Sequence, residues 1–190
     1  MSNPNSQEII EIFNQTFSAQ FNTQLIGGGV EPEYVPANRE CSYNQLIFRS
    51  DFSASALHEI AHWCIAGEDR RRLVDFGYWY RPEGRKPSEQ EQFEHVEVKP
   101  QALEWLFSLA CGQKFTPSVD NLSLQNSVSA AFEKALKQQF RKYLLDGLPA
   151  RGEQFVSELL RSFRLFNHKN NFTQHALYII SYPSLTATEA

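Results

Sequence analysis

The chain lacks any run of about 18 or more apolar residues, the length a helix needs to cross a bilayer, and its first residues are polar. We therefore expect neither membrane insertion nor export, and a cytoplasmic location. Cysteine is scarce as well. The three present, Cys41, Cys64 and Cys111, are an odd number without CxxC spacing. This pattern predicts reduced, structural thiols rather than a disulfide framework.

An excess of positive charge is also missing. The 18 lysines and arginines are outnumbered by 22 acidic residues, which gives a formal net charge of -4. No overall basic field is available to hold phosphates, so we expect no nucleic-acid partner. The local run Arg70-Arg71-Arg72 is interpreted as a solvated helix face, with docking of an acidic partner as the alternative.

Apolar residues make up 42% of the 190 positions, enough for one compact domain over residues 1–190. The patterns predict an α+β protein, mainly α, with a small minor sheet. Gly67 is expected to cap one helix in the left-handed conformation, and Pro100 to kink another or begin a new one. The tail, residues 167–190, shows no clear period of polar and apolar residues, so its structure is not predicted. Helical spacing predicts helices near 6–18, 53–66, 68–76, 88–110, 128–143 and 155–163, and a short apolar run predicts a strand at 45–48.

The chemistry is indicated by the run His58-Glu59-Ile60-Ala61-His62 on the predicted helix 53–66. Residues four apart lie one turn apart on the same face, so both imidazoles can bind one Zn²⁺ or Fe²⁺ ion. Glu59 lies beside them, able to touch a metal-bound water without being a ligand, as in zincin-like HExxH helices. The alternative is a pair of core histidines satisfied by ordinary hydrogen bonds.

A third protein ligand is expected from a downstream carboxylate. Glu94 and Glu97 are three apart on a predicted helix, so both can face the HExxH helix, whereas His95 points elsewhere. Glu97 is preferred, with Glu94 as a supporting residue or substitute. A competing pattern joins His95 and Glu97 to His168 or His175, as in double-stranded β-helix oxygenases. It is disfavoured because that fold needs about eight strands, and the two later histidines are interpreted as surface residues.

Three segments, 56–67, 73–80 and 93–103, carry a resemblance to a known family. The sequences of these three motifs and their order along the chain resemble the bacterial elongation factor P hydroxylase family, over about residues 7–165. The resemblance implies hydroxylation of the β-lysylated lysine of translation elongation factor P. It also places the family's metal ligands on His58, His62 and Glu97, the set favoured by spacing.

A set of two histidines and one carboxylate is typical of non-haem Fe(II) oxygenases, so the resemblance implies Fe(II) and O₂, although zinc or another divalent metal suits the same ligands. A cationic lysyl substrate would need a carboxylate and aromatic walls, which Asp75, Tyr78, Trp79 and Tyr80 could provide. The alternative interpretation of these aromatic residues is that they pack a turn onto the core.

The role of Glu59 separates the competing functions. In an HExxH zinc metallopeptidase, the main alternative, it would be the general base for hydrolysis. In a hydroxylase it would orient His62, relay a proton or hold a metal-bound water. A third, weaker hypothesis is a metal-stabilised binding module without an open coordination position.

Overall fold

The computed structural model describes residues 4–77, 87–118, 129–166 and 169–181. Within these ranges the chain is mainly helical with one small sheet, which confirms the predicted α+β class. The elements are α1 (Ser6–Phe21), β1 (Thr23–Gly29), β2 (Glu33–Val35), β3 (Asn44–Arg49), α2 (Ser53–Ile65), α3 (Pro87–Cys111), α4 (Ala130–Asp146), α5 (Ala150–Phe163) and α6 (Lys169–Ile179).

Helix α1 begins with a reciprocal cap. The Asn5 side chain accepts a hydrogen bond from the Glu8 amide (2.8 Å), and the Glu8 carboxylate accepts one from the Asn5 amide (3.0 Å). Its apolar face is buried, and Asn14 binds the backbone of Leu25 in β1. Helix α1 is thereby fixed to the sheet. The buried positions are Ile9, Phe13 and Phe17.

The sheet has the strand order β1-β3-β2, with β1 parallel and β2 antiparallel to β3. The predicted strand at 45–48 is confirmed as part of β3. Strands β1 and β2 were not predicted, because β1 ends in Gly27-Gly28-Gly29 and β2 has only three residues, so neither shows a strand pattern. Leu25 and Tyr34 both pair with the buried Leu46.

Helix α2 carries the HExxH run and packs most of its surface into the core. It ends one residue before the predicted boundary, and the expected cap is wrong: Ala66 is the C-cap, and the φ of Gly67 is not positive. Arginines replace the left-handed cap. Arg71 donates a hydrogen bond to the Ala66 carbonyl (2.8 Å) and Arg151 to that of Trp63 (2.8 Å), satisfying the exposed carbonyl end of the helix.

The segment after α2 forms two short 3-10 turns, Arg70–Arg72 and Val74–Gly77, rather than the predicted charged helix. Positive φ angles at Asp75 (48°) and Phe76 (56°) break the helical path. The arginine run is not simply a solvated face, because Arg70 donates to the Phe76 carbonyl (3.2 Å) and Arg71 to Ala66. Arg72 makes an exposed ion pair with Glu68.

Helix α3 runs without interruption through Pro100, so the expectation that Pro100 begins a second helix is wrong, while the alternative of a kink at Pro100 stays a prediction. The proline removes one backbone hydrogen bond, but Pro100 is itself buried and the helix is buried on nearly all sides from residue 100 to 108. Packing against α2, α4 and α5 offsets the lost bond.

Part of the tail is also helical: α6 buries Phe172 and Ala176 one turn apart. No helix in the described ranges is both long and apolar enough to cross a membrane. The three cysteines are free thiols, as predicted. Cys64 and Cys111 are buried, and burial raises the pKa of Cys111 to about 12.

Candidate metal centre

Three candidate ligands converge between α2 and α3. His58 and His62 lie one turn apart on α2, and Glu97 reaches them from α3. The two Nε2 atoms are 3.1 Å apart; Glu97 Oε2 is 3.6 Å from His58 Nε2, and Glu97 Oε1 is 3.3 Å from His62 Nε2. Within the described residues, these three form the group that could hold a metal ion.

The separations fit a shared transition-metal ion. Ligand atoms about 2.1 Å from one metal lie roughly 3.0 Å apart at right angles and roughly 3.4 Å apart at tetrahedral angles. The separation of the two Nε2 atoms lies in this range, and each Nε2 atom lies in or near it from one of the two Glu97 oxygens, Oε2 for His58 and Oε1 for His62. Two imidazole nitrogens and a carboxylate facing one point offer several lone pairs and few protons, so a cation satisfies them better than mutual hydrogen bonds do.

The electrostatics of the cluster also favour a cation. Burial opposes ionisation of Glu97, which is 2% exposed, but His62 and His58 and hydrogen bonds from His62 and Gln101 outweigh it and lower the pKa of Glu97 to about 2. Burial likewise opposes protonation of His58. The hydrogen bond and charge of Glu104, together with the charge of Glu97, outweigh this, so the pKa of His58 lies well above its usual value of 6.5. In the metal-free protein, His58 therefore holds its proton to higher pH than usual.

Two neighbouring side chains of α3 were missed by the sequence analysis. Glu104 Oε2 lies 2.8 Å from His58 Nδ1, within hydrogen-bond distance, and Gln101 Nε2 lies 3.3 Å from Glu97 Oε2. Gln101 also exchanges two hydrogen bonds with the Ser118 backbone. The available signal was spacing, because Glu97, Gln101 and Glu104 recur at i, i+4 and i+7 and so share one helix face.

Glu59 lies beside the three ligands without belonging to their group. It is half-buried, and burial raises the pKa of its carboxyl group, partly offset by the charges of His58 and His62. The carboxyl group therefore holds its proton to higher pH than usual. Such a group, next to a metal ion, can donate or accept a proton.

Glu94 is not brought into the cluster. Its carboxylate accepts a hydrogen bond from Ser129 Oγ (2.8 Å), at the start of α4, so the supporting place expected for it is held by Glu104 and Gln101. His95 is exposed. It lines a pocket of about 230 Å³ beside His62, with Lys99 also in the wall. Of the three candidate ligands, His62 lines this pocket.

Of the four residues expected to bind substrate, only Asp75 lies within the described residues. Asp75 Oδ1 accepts a hydrogen bond from the Tyr34 amide (2.8 Å), so at least one oxygen holds the 3-10 turn against β2. Tyr78, Trp79 and Tyr80 lie outside the described residues. The role of all four residues in substrate binding stays a prediction.

Comparisons with known proteins identify the family of this chain. A family model described as elongation factor P hydroxylase matches residues 12–174. The chain belongs to this family. A curated relative from Haemophilus influenzae, named elongation factor P lysine hydroxylase, is 50% identical over 154 residues, 81% of this chain and 86% of the relative. The resemblance found in three motifs is thereby confirmed.

The strand content of the described residues argues against the double-stranded β-helix alternative. The described ranges contain three strands in one small sheet, too few for a double-stranded β-helix. His175 is exposed on α6 against the ring of Phe166, and His168 lies outside the described residues. The candidate ligands His58, His62 and Glu97 all fall within the matched span.

Proposed function

We propose that this protein hydroxylates the β-lysylated lysine of translation elongation factor P, in the cytoplasm, in a reaction that depends on O₂ and on a bound divalent metal, Fe(II). The family description and the name of the Haemophilus influenzae relative support the reaction type and the substrate protein. The convergence of His58, His62 and Glu97 supports the metal. This convergence is the observation on which the proposed chemistry depends.

The residues of the centre have distinct tasks in this proposal. His58, His62 and Glu97 would hold the metal through two nitrogens and one carboxylate. When bound, Fe(II) would supply the activation of O₂ needed to convert a C–H bond into C–OH, while the second oxygen atom leaves as water with two electrons from an external reductant. Glu97 is ionised at neutral pH, since its pKa is about 2, and its negative charge reduces the net positive charge of a metal-bound centre. Zinc would suit the same ligands but would not support this chemistry.

Glu59 is proposed to transfer a proton at the metal. Its half-buried position beside both histidines and its raised pKa support this role. Glu59→Gln should therefore keep metal binding and lower turnover by roughly 10²–10⁴-fold, the usual contribution of a positioned acid or base. A variant that turns over normally would leave Glu59 without a proton-transfer role.

The reaction can be tested by intact mass spectrometry. β-Lysylated elongation factor P is incubated with the iron-loaded protein, O₂ and an electron donor such as ascorbate. We expect the substrate to gain the mass of one oxygen atom. The gain should disappear without O₂ and with His58→Ala. His175→Ala is the matched control, because it removes an exposed histidine far along the chain on α6, and it should hydroxylate normally.

Each failure has a separate meaning. An equal gain in substrate mass with His58→Ala would show that the reaction does not need the metal centre. An equal gain without O₂ would show that it does not need O₂. Backbone cleavage of elongation factor P by the zinc-loaded protein would instead favour the peptidase alternative, which the shared HExxH ligands alone support. Unmodified elongation factor P, run in parallel, tests whether the β-lysyl group is required.

A further inference from the structure

Glu104 is a buried carboxylate in an otherwise apolar stretch of α3. It is 8% exposed, and its neighbours Leu103, Trp105 and Leu106 all belong to the core. A carboxylate is expensive to bury unless a strong partner binds it. Its partner is the Nδ1 atom of His58, 2.8 Å from Oε2, on the neighbouring helix α2.

This hydrogen bond determines which nitrogen of His58 is available to a metal. A neutral imidazole has one N–H and one lone pair, and an ionised carboxylate can only accept. Glu104 therefore holds the proton on Nδ1, and the lone pair lies on Nε2. Nε2 is the atom that faces His62 and Glu97, at 3.1 Å and 3.6 Å.

We propose that Glu104 is a positioning residue of the metal centre, which fixes the tautomer and ring orientation of His58 through the Nδ1–H hydrogen bond. The inference rests on the proposed function, since it requires a metal at His58, His62 and Glu97. It concerns ligand geometry and basicity rather than contact with substrate, because Glu104 reaches the centre only through His58.

The placement of Glu104 on the ligand helix makes this control direct. Glu97 and Glu104 are seven residues apart on α3, so two turns of one rigid helix carry both a ligand and the group that orients another ligand. Helix α2 supplies His58 and His62 in the same way. The packing of α2 against α3 thus determines the relative positions of the three ligands and of Glu104.

Two variants separate the hydrogen bond from the charge. Glu104→Leu removes the acceptor and keeps roughly the same volume. Glu104→Gln keeps an acceptor oxygen at the same reach and removes the charge. Ser108→Ala is the matched control, because Ser108 is a buried polar residue one turn further along the same helix. Circular dichroism of the metal-free proteins checks that each variant folds.

The first readout is affinity for Zn²⁺ alone, measured by competition with a chromophoric chelator at a pH high enough that the affinity of each protein no longer rises with pH. Loss of a group that orients a ligand typically costs about 10–100-fold in metal affinity. We expect a loss of about 100-fold for Glu104→Leu and about tenfold for Glu104→Gln. Ser108→Ala should bind Zn²⁺ as the unchanged protein does.

The second readout is the NMR resonance of the His58 Nδ1 proton, which would not change if Glu104 had a purely structural role. In the diamagnetic Zn²⁺-loaded protein, the His58 Nδ1 proton should give a downfield NMR resonance protected from exchange by Glu104. The resonance should be lost in Glu104→Leu, shifted upfield in Glu104→Gln and unchanged in Ser108→Ala.

The outcomes distinguish this inference from the proposed function. Unchanged affinity and an unchanged resonance in Glu104→Gln overturn the positioning role, even if Glu104→Leu fails to fold. An unchanged protein that does not bind Zn²⁺ overturns the metal centre and this inference together. Graded losses of affinity in a protein that hydroxylates nothing leave Glu104 as a positioning residue and overturn the proposed reaction alone.

Discussion

The guanidinium group of Arg151 lies 4.7 Å from the ring centroid of Trp63 and donates a hydrogen bond to the Trp63 carbonyl oxygen over 2.8 Å. Arg151 belongs to α5, whereas Trp63 lies in the last turn of α2, directly after His62. A cation is thus placed at the negative end of the helix that carries both candidate histidine ligands. Helix α5 therefore helps to fix the C-terminal end of α2.

We expect Arg151→Met to lower the free energy of unfolding by about 2–4 kcal/mol, because it removes charged hydrogen bonds to helix-terminal carbonyls and a cation–π contact. Chemical denaturation measures the change. Arg161→Met is the matched control on the same helix: its side chain is 74% exposed and pairs with Glu158, so the substitution should cost about 0.5 kcal/mol or less. Equal losses in the two variants would show that the α2 contacts of Arg151 contribute no stability.

The ligands could be predicted from sequence because their geometry is mostly local. His58 and His62 are four apart on a helix, which fixes their relation without knowledge of the fold. The position of Glu97 beside the two histidines depends on the packing of α2 against α3. Sequence spacing limited the candidates for the third ligand to two carboxylates, Glu94 and Glu97. Glu104 was missed because one carboxylate among apolar residues does not reveal its partner before α2 and α3 are packed together.

The helices were predicted better than the sheet for a related reason. Helical periodicity repeats over many residues, whereas β1 ends in three glycines and pairs with a strand about twenty residues away. The cap predicted at Gly67 is wrong, although a glycine after a helix often adopts the left-handed conformation. Here the carbonyl end is satisfied by Arg71 and Arg151, and the second of these is distant in sequence.

Two glycines should respond oppositely to alanine. A Cβ at Gly29 would lie 2.7 Å from Ile47 Cγ2 and 2.9 Å from the Glu31 carbonyl oxygen, so Gly29→Ala should cost about 1–3 kcal/mol of stability. A Cβ at Gly67 meets nothing within 4 Å, and the φ there is not positive. Gly67→Ala should therefore be neutral or stabilise by up to about 1 kcal/mol. Thermal unfolding of both variants measures these stability changes. A destabilised Gly67→Ala would favour the left-handed cap first predicted at Gly67.

Gln101 connects the centre to the segment that follows α3. It exchanges hydrogen bonds of 2.7 Å and 3.0 Å with the Ser118 backbone and lies 3.3 Å from Glu97. Gln101→Leu should lower stability by about 2–4 kcal/mol, because it breaks buried hydrogen bonds, and lower Zn²⁺ affinity by about tenfold. Gln138→Leu makes the same change at an exposed position of α4 and should alter neither quantity. A stability loss without an affinity loss would limit Gln101 to a structural role.

Metal binding should depend on pH in a direction set by His58. In the metal-free protein the pKa of His58 is raised, chiefly because Glu104 and Glu97 outweigh the effect of burial. Protonation of His58 therefore stabilises the metal-free fold fully below its unfolded pKa of about 6.5, and this stabilisation is lost as pH rises through the raised value. A metal must displace the same proton.

Zn²⁺ affinity should consequently rise about tenfold per pH unit up to the raised pKa of His58 and level off above it, as expected for the release of one proton. Chelator competition between about pH 6 and pH 9 measures this slope. Glu104→Gln removes the main cause of the raised pKa, so its affinity should level off at lower pH. Glu97 remains ionised throughout, since its pKa is about 2, and contributes no slope. A flat profile in the unchanged protein would mean that the metal binds without displacing the His58 proton, and hence at other atoms.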